Sequence, residues 1–235
     1  MEPVKLVIKA FRAPDDVDSC HRYVEGHSKV LRIYGITMIT SAKAVWTDDP
    51  NTYVILVESE NGEKTYGGAR IQIAGGAFPL PIEDALTKFD SNIHKLVQDL
   101  VPAGTGELCG LWNSREVAGL GIGSIYLSRV GVTLAMQLKL NTLFALCAPA
   151  TVKNANRVGF LVDERLGDKG TFYYPKEGLV ATAVFLQDVL TLSTANPDER
   201  ERILELRSFP QQRKTELGPR DIPLEIDYNL ILTNL

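Results

Sequence analysis

The chain has 235 residues, 45% of them hydrophobic, and a formal net charge of −4. That length allows one large domain, or one domain with an appendage, around a sizeable core, and the acidic balance excludes the basic footprint of a nucleic-acid or anionic-membrane binder. Its three cysteines, Cys20, Cys109 and Cys147, are too few and too scattered for a disulfide framework or a metal cage.

No run reaches the length of a transmembrane helix, and Met1 to Asp16 carries charge where a secretion signal would hold an apolar stretch. The expectation is a cytoplasmic protein without a membrane span. Val4 to Arg12 places Val4, Leu6, Ile8 and Ala10 at period two and predicts a strand, ended by Pro14. Asp15 to Gly35 reads as a helix in which Cys20, Tyr23, Val24, His27, Val30 and Leu31 recur at helical spacing, so His21 and His27 are surface or packing residues rather than metal ligands. Ile36 to Pro50 is irregular. Thr52 to Glu58 and Thr65 to Ile73 flank Asn61-Gly62 and predict an antiparallel hairpin. Ile82 to Val101 carries one helical stripe, with His94 on its solvated side.

The most informative stretch is Gly106 to Gly123, GELCGLWNSREVAGLGIG. Leu108, Leu111 and Trp112 form the apolar part of a strand, Asn113 to Ala118 a polar connection, and Gly119, Gly121 and Gly123 mark a helix N-terminus. Glycines bring backbone N–H groups close to a ligand, and a helix N-terminus favours an anion such as a pyrophosphate. A helix through Leu138 and a continuous apolar strand, Thr142 to Ala148, follow; strand, crossover helix and strand imply a right-handed parallel unit. Thr151 to Val158 is a short helix stopped by Gly159, and Thr171 to Tyr174 with Leu179 to Gln187 read as a final pair of strands. Asn196-Pro197-Asp198-Glu199 opens another helix. Ser208 to Pro223 reads as a linker, and the alternation of Leu224, Ile226, Tyr228 and Leu230 with polar residues predicts a tail strand. That strand adds either to its own sheet or to a neighbouring copy; pairing in a homodimer is favoured. A dinucleotide site is disfavoured because Ser124 stands where a third small Gly or Ala belongs and no acidic residue ends the following strand, and a P-loop lacks its Gly-Lys-Ser/Thr.

The hairpin, central strand, Gly-rich turn, helix, parallel strand and short helix ending in Gly159-Phe160 together resemble the GCN5-related N-acetyltransferase (GNAT) superfamily, over roughly Val4 to Asp188. The resemblance implies an α/β fold (α+β by some schemes): a central mixed, mostly antiparallel sheet with one parallel pair, flanked by helices. It implies an acyltransferase domain over 1–190, followed by a C-terminal helix, linker and strand over 191–235. The family's turn, Arg/Gln-x-x-Gly-x-Gly/Ala, corresponds here to Ala118, Gly119, Leu120, Gly121, Ile122 and Gly123, so the glycines match and the leading Arg or Gln does not. These residues, with Trp112 and Asn113, are the implied site for acetyl-CoA or acyl-CoA, and Arg115 and Lys153 are basic residues able to replace the lost side chain. The implied reaction is direct attack of a small-molecule primary amine on the thioester without a metal, with Glu107 as the general base. The family's usual acid, a Tyr, is Ala155 here; Tyr126, Tyr173 and Tyr174 stand unranked as substitutes. Cys109 and Cys147, with no His near in sequence, read as small buried hydrophobes rather than nucleophiles.

Asp48-Asp49-Pro50, TYVILVE, Gly67 to Ile71, the segment near Leu80 and Glu107-Leu108 are similar to acyl-homoserine-lactone synthases and N-acyl amino acid synthases, which usually take long acyl chains from acyl carrier protein. On that resemblance Arg70 joins Glu107 as a functional residue. A non-catalytic coenzyme A sensor is the reading from another class.

Overall fold

The structure is a computed structural model that describes residues 3–36, 44–218 and 221–233. Its strands are β1 (Val4–Arg12), β2 (Thr52–Ser59), β3 (Thr65–Ile73), β4 (Thr105–Asn113), β5 (Thr142–Cys147), β6 (Leu161–Val162), β7 (Thr171–Tyr173), β8 (Val180–Leu186), β9 (Gln211–Leu217) and β10 (Pro223–Asn229). Its helices are α1 (Val17–Ile33), α2 (Pro81–Leu86), α3 (Asn92–Leu100), α4 (Leu127–Gln137), α5 (Pro149–Arg157) and α6 (Pro197–Ser208). All the strands join one sheet in the order β6-β8-β5-β4-β3-β2-β1-β10-β9, with β7 on β8. The expected mixed, mostly antiparallel sheet is present, and β4 and β5 are its expected parallel pair. A second parallel pair, β1 with β10, was not anticipated.

Each face of the sheet has its own cover. Leu6, Ile8, Ile55, Ile71, Leu108, Leu143 and Ile226 pack with α4 and α6 residues such as Val130, Leu134 and Ile203. On the other face α1 lays Cys20 and Tyr23 over Val54, Leu56 and Trp112, while α2 and α3 lay Ile82, Leu86, Ile93 and Val97 over Phe144 and Ala183. The strict period of two in β1 survives as an alternation of buried and half-buried residues. Asp16 starts α1 by accepting the Ser19 N–H at 3.0 Å, and Asn196 starts α6 by accepting the Asp198 N–H at 3.0 Å.

Four expectations are corrected. The single helix over 82–101 is two, because the chain turns between Thr87 and Ser91 and Asp90 accepts the Asn92 N–H at 3.0 Å to start α3; Asp and Ser compete for backbone groups in this way and interrupt helices. His94 is half-exposed but not merely solvated, since its Nδ1 lies 2.9 Å from Glu83 Oε1 and its Nε2 2.8 Å from Thr87 Oγ1. The supposed linker contains β9, an edge strand whose Gln-Gln-Arg-Lys-Thr sequence shows no apolar period because most of it faces solvent. The tail strand β10 lies in this chain's own sheet between β1 and β9, rather than on a second copy. Of the segment read as irregular, 37–43 lie outside the described residues, and Ala44–Trp46 form a single 3-10 turn.

A buried ionic network ties this C-terminal extension to α4. Arg129, 1% exposed, donates Nε to Glu199 at 2.9 Å and Nη1 to Glu216 at 2.7 Å. The Tyr228 hydroxyl donates to Glu216 at 2.7 Å, and Arg157 donates to Glu199 at 2.7 Å. Breaking a buried pair leaves a carboxylate short of its compensating charge and costs about 3–5 kcal/mol. Arg129→Met should lower the stability by that order in urea unfolding, and an unchanged midpoint would show that the network contributes nothing net.

Candidate functional site

β4 and β5 pair only at Thr105–Thr142, Gly106–Leu143 and Glu107–Phe144. Beyond that point they part. One cause is in β4 itself: Gly68 of β3 faces Trp112 and Arg70 faces Cys109, so Ala69 stands against both Gly110 and Leu111. This is a bulge with Gly110 at φ 61°, a left-handed conformation in which a side chain is strained. The Tyr23 hydroxyl reaches from α1 and donates to the Gly110 carbonyl at 2.6 Å. Between the parted strands lies a cavity of about 230 Å³, walled by 108–111 and 145–148, with His27 and Leu31 from α1 and Asn154 and Ala155 from α5.

The glycine-rich turn borders this cavity through Gly123, one of its lining residues. Gly119 and Gly121 adopt φ 86° and 84°. The helix that follows begins as a π turn over Ile122–Tyr126, in which the Ile125 and Tyr126 N–H groups both reach back to the Gly121 carbonyl, at 3.0 and 3.3 Å. The amides before Ile125 are the leading donors of a helix, the position that suits an anion. A Cβ at Gly123 would collide with the Asn113 side chain, so these two residues are in mutual contact. The Leu120 and Ile122 side chains point into the core and leave only their backbone to a ligand; Ala118 and Gly119 are exposed. Trp112 is 4% exposed beneath α1, with its ring 6.1 Å from that of Tyr23, so its side chain packs against α1 and not in the cavity. Arg115 and Lys153 are both exposed.

Glu107 sits at the last position of β4 that pairs with β5 and is 2% exposed. Its Oε2 accepts the Ile82 N–H at 2.6 Å from the first turn of α2. Burial pushes its carboxyl up to about 8; the Ile82 N–H and the Arg70 charge oppose that rise, and Glu83 and Asp84 add to it. Arg70, on the neighbouring strand, is 1% exposed with its guanidinium 4.7 Å from the Trp46 ring centre. Cys109 and Cys147 both line the cavity, and burial pushes their thiols up to about 12 and about 11. Both therefore stay protonated, in line with the expectation that neither is a nucleophile.

The tyrosines proposed as acids are elsewhere. Tyr126 is buried under the Arg129 guanidinium at 4.9 Å, and burial followed by the Glu216 charge raises its hydroxyl to about 12. Tyr173 is 63% exposed, and none of the residues lining the cavity is a tyrosine. Sequence reasoning missed Tyr23 and His27, whose helical spacing showed a packing face but not what that face packs against.

No family model matches the chain, and no curated protein matches its sequence. Solved structures do match. FeeM, an N-acyl amino acid synthase from uncultured soil microbes, aligns over 87% of this chain and 97% of its own, with a TM-score of 0.57 at 18% identity. BjaI, a CoA-dependent acyl-homoserine lactone synthase solved with SAM and isopentyl-CoA, aligns over 98% and 94%, with a TM-score of 0.56 at 12% identity. The AHL synthase LasI aligns over 81% and 95%, with a TM-score of 0.53 at 15% identity. The splayed parallel strands, the glycine-rich helix start and these alignments together show that this chain has the GCN5-related N-acetyltransferase fold.

Proposed function

We propose that this chain is an N-acyltransferase that moves an acyl group from a coenzyme A thioester to the primary amine of a small amino-acid-like acceptor. The observation that carries this is the apolar cavity in the parting of β4 and β5, lined by Gly123 of the glycine-rich helix start and by Leu108 and Cys109, which follow the buried Glu107 along β4. The alignments with an N-acyl amino acid synthase and with acyl-homoserine-lactone synthases favour such a product over plain acetyl transfer.

The backbone from Gly119 to Gly123 would hold the pyrophosphate, with Asn113 beside it, and the edges of the parted strands would hold the pantetheine arm. The thioester supplies the activated acyl group. Leu108, Leu111, Ala145 and Leu146 give the cavity walls on which an acyl chain is desolvated. Arg70 supplies a positive charge near Glu107 for an acceptor carboxylate. Glu107 takes the proton that the attacking amine must lose as the C–N bond forms and the C–S bond breaks. Its raised pKa makes the ionised carboxylate a stronger base than an ordinary one, and that form becomes populated as the pH approaches about 8. An acyl carrier protein presents its acyl group as a thioester as well, and parallel assays with acyl-CoA and acylated carrier protein separate the two donors.

Glu107→Gln should leave coenzyme A affinity unchanged by calorimetry while lowering kcat by about 10²–10⁴-fold. In the wild type kcat/KM should rise with pH to a limb near 8, where the carboxyl loses its proton; a flat profile between pH 6 and 9 would remove Glu107 from the chemistry. The same carboxyl sets a stability trend. Its pKa is higher folded, about 8, than the ordinary 4.5, so the folded state binds the extra proton in that window and stability falls as pH rises through it. Thermal melts should show Glu107→Gln gaining on the wild type from pH 5 to pH 8.

Gly121→Val places a β-branched residue at φ 84°, which costs about 1–3 kcal/mol of strain and adds bulk where the anion would approach. Coenzyme A should bind more weakly, because the added side chain obstructs the anion's approach to the backbone N–H groups. Equal affinities of the variant and wild type would place the pyrophosphate elsewhere.

A further inference from the structure

His27 is a buried polar ring for which the steps above have no use. It is 5% exposed and lines the cavity beside Cys109 and Gly110. Its Cε1 lies 3.7 Å from the point where a Cβ on Gly110 would stand. Cε1 is bonded to both ring nitrogens, so the polar end of the imidazole, and not its carbon edge, meets the bulge in β4. The ring packs against Tyr23 at 5.7 Å, tilted by 55°, and its nitrogens are not among the enclosed side-chain atoms left without a partner.

The chemistry of the ring narrows what it can bind. Burial, and then the Arg70 charge, hold its pKa down at about 4. At pH 7 only about one ring in a thousand is then protonated, so imidazolium is not an effective acid here. A base that weak also takes an amine proton less readily than Glu107. What remains is a neutral ring with an N–H to donate, which is the state in which a histidine polarises a carbonyl without transferring its proton.

We propose that His27 donates a ring N–H to the carbonyl oxygen of the bound thioester and stabilises the oxyanion that develops on it as the amine attacks. This rests on the acyl-transfer reading. The oxygen gains negative charge when the C–N bond forms and loses it when the C–S bond breaks, while the ring keeps its proton throughout. The bulge that parts β4 from β5 also brings the ring to the opening, since Gly110 presents no side chain between His27 and the cavity.

The test uses octanoyl-CoA labelled with ¹³C at the carbonyl, the full-length chain, and infrared difference spectra of the bound C=O stretch. In the wild type the stretch should move to lower frequency than in solution. His27→Phe should abolish that shift with the dissociation constant within about threefold, and His27→Gln, which keeps an N–H donor, should retain most of it. With an acceptor turned over, His27→Phe should lower kcat about 10²–10³-fold and leave KM nearly unchanged. An undiminished shift in His27→Phe overturns the proposal, as does equal loss in the Phe and Gln variants with melting curves intact. His27→Met replaces the Phe variant if that one fails to fold. Failure of octanoyl-CoA to bind the wild type is a different result: it removes the acyl-transfer reading, and the proposal with it.

Discussion

Three pairs of residues hold β4 to β5, and the site exists because there is no fourth. A parallel pair buried on both faces would ordinarily continue, since each further rung satisfies two backbone groups that are otherwise unpaired. The extra residue at Gly110 and Leu111 bends β4 instead, and Tyr23 fixes the bend by binding the Gly110 carbonyl. The parted strands carry backbone groups no longer spent on each other and a lining of small and apolar side chains. A glycine at the bulge is required twice over, by its positive φ and by the Tyr23 hydroxyl where a Cβ would stand.

Around that opening the protein buries groups that water would hold more comfortably. Glu107 and His27 respond in opposite senses to the same exclusion of water: the carboxyl holds its proton more tightly, and the imidazole gives it up more readily. The Arg70 charge opposes the first shift and reinforces the second. The neutral forms of both groups are therefore favoured near pH 7. For Glu107 this is a proton waiting to be displaced by an incoming ligand's charge, and for His27 it is a donor that does not titrate in the working range.

The C-terminal extension bears on the site through α4. Arg129 belongs to the helix that opens with the glycine-rich turn, and its two carboxylate partners come from α6 and β9. Glu216 is also held by Tyr228 of β10, so helix, edge strand and tail strand are fixed by one set of charge-assisted bonds. With β10 paired along β1, these strands extend the sheet while they lock the helix whose N-terminus faces the cavity.

The sequence by itself determined the elements with strong local signals. Period-two β1, the Asn61-Gly62 hairpin, the glycine-rich helix start, the buried run of β5 and the Asn196-Pro197 cap are each set by interactions within a few residues of one another. Glu107 was legible as a strand-end carboxylate because the motif around it was. Only the tertiary structure decided that Trp112 turns under α1 while His27 and Cys147 turn to the cavity, that β9 is a strand at all, and that the tail pairs with β1 of its own chain. Those outcomes depend on partners far apart in sequence, and a polar edge strand or a packing histidine has the same local pattern whichever surface it meets. The pKa values of Glu107 and His27 belong to the same class, because burial is a property of the assembled layers and not of the neighbouring residues along the chain.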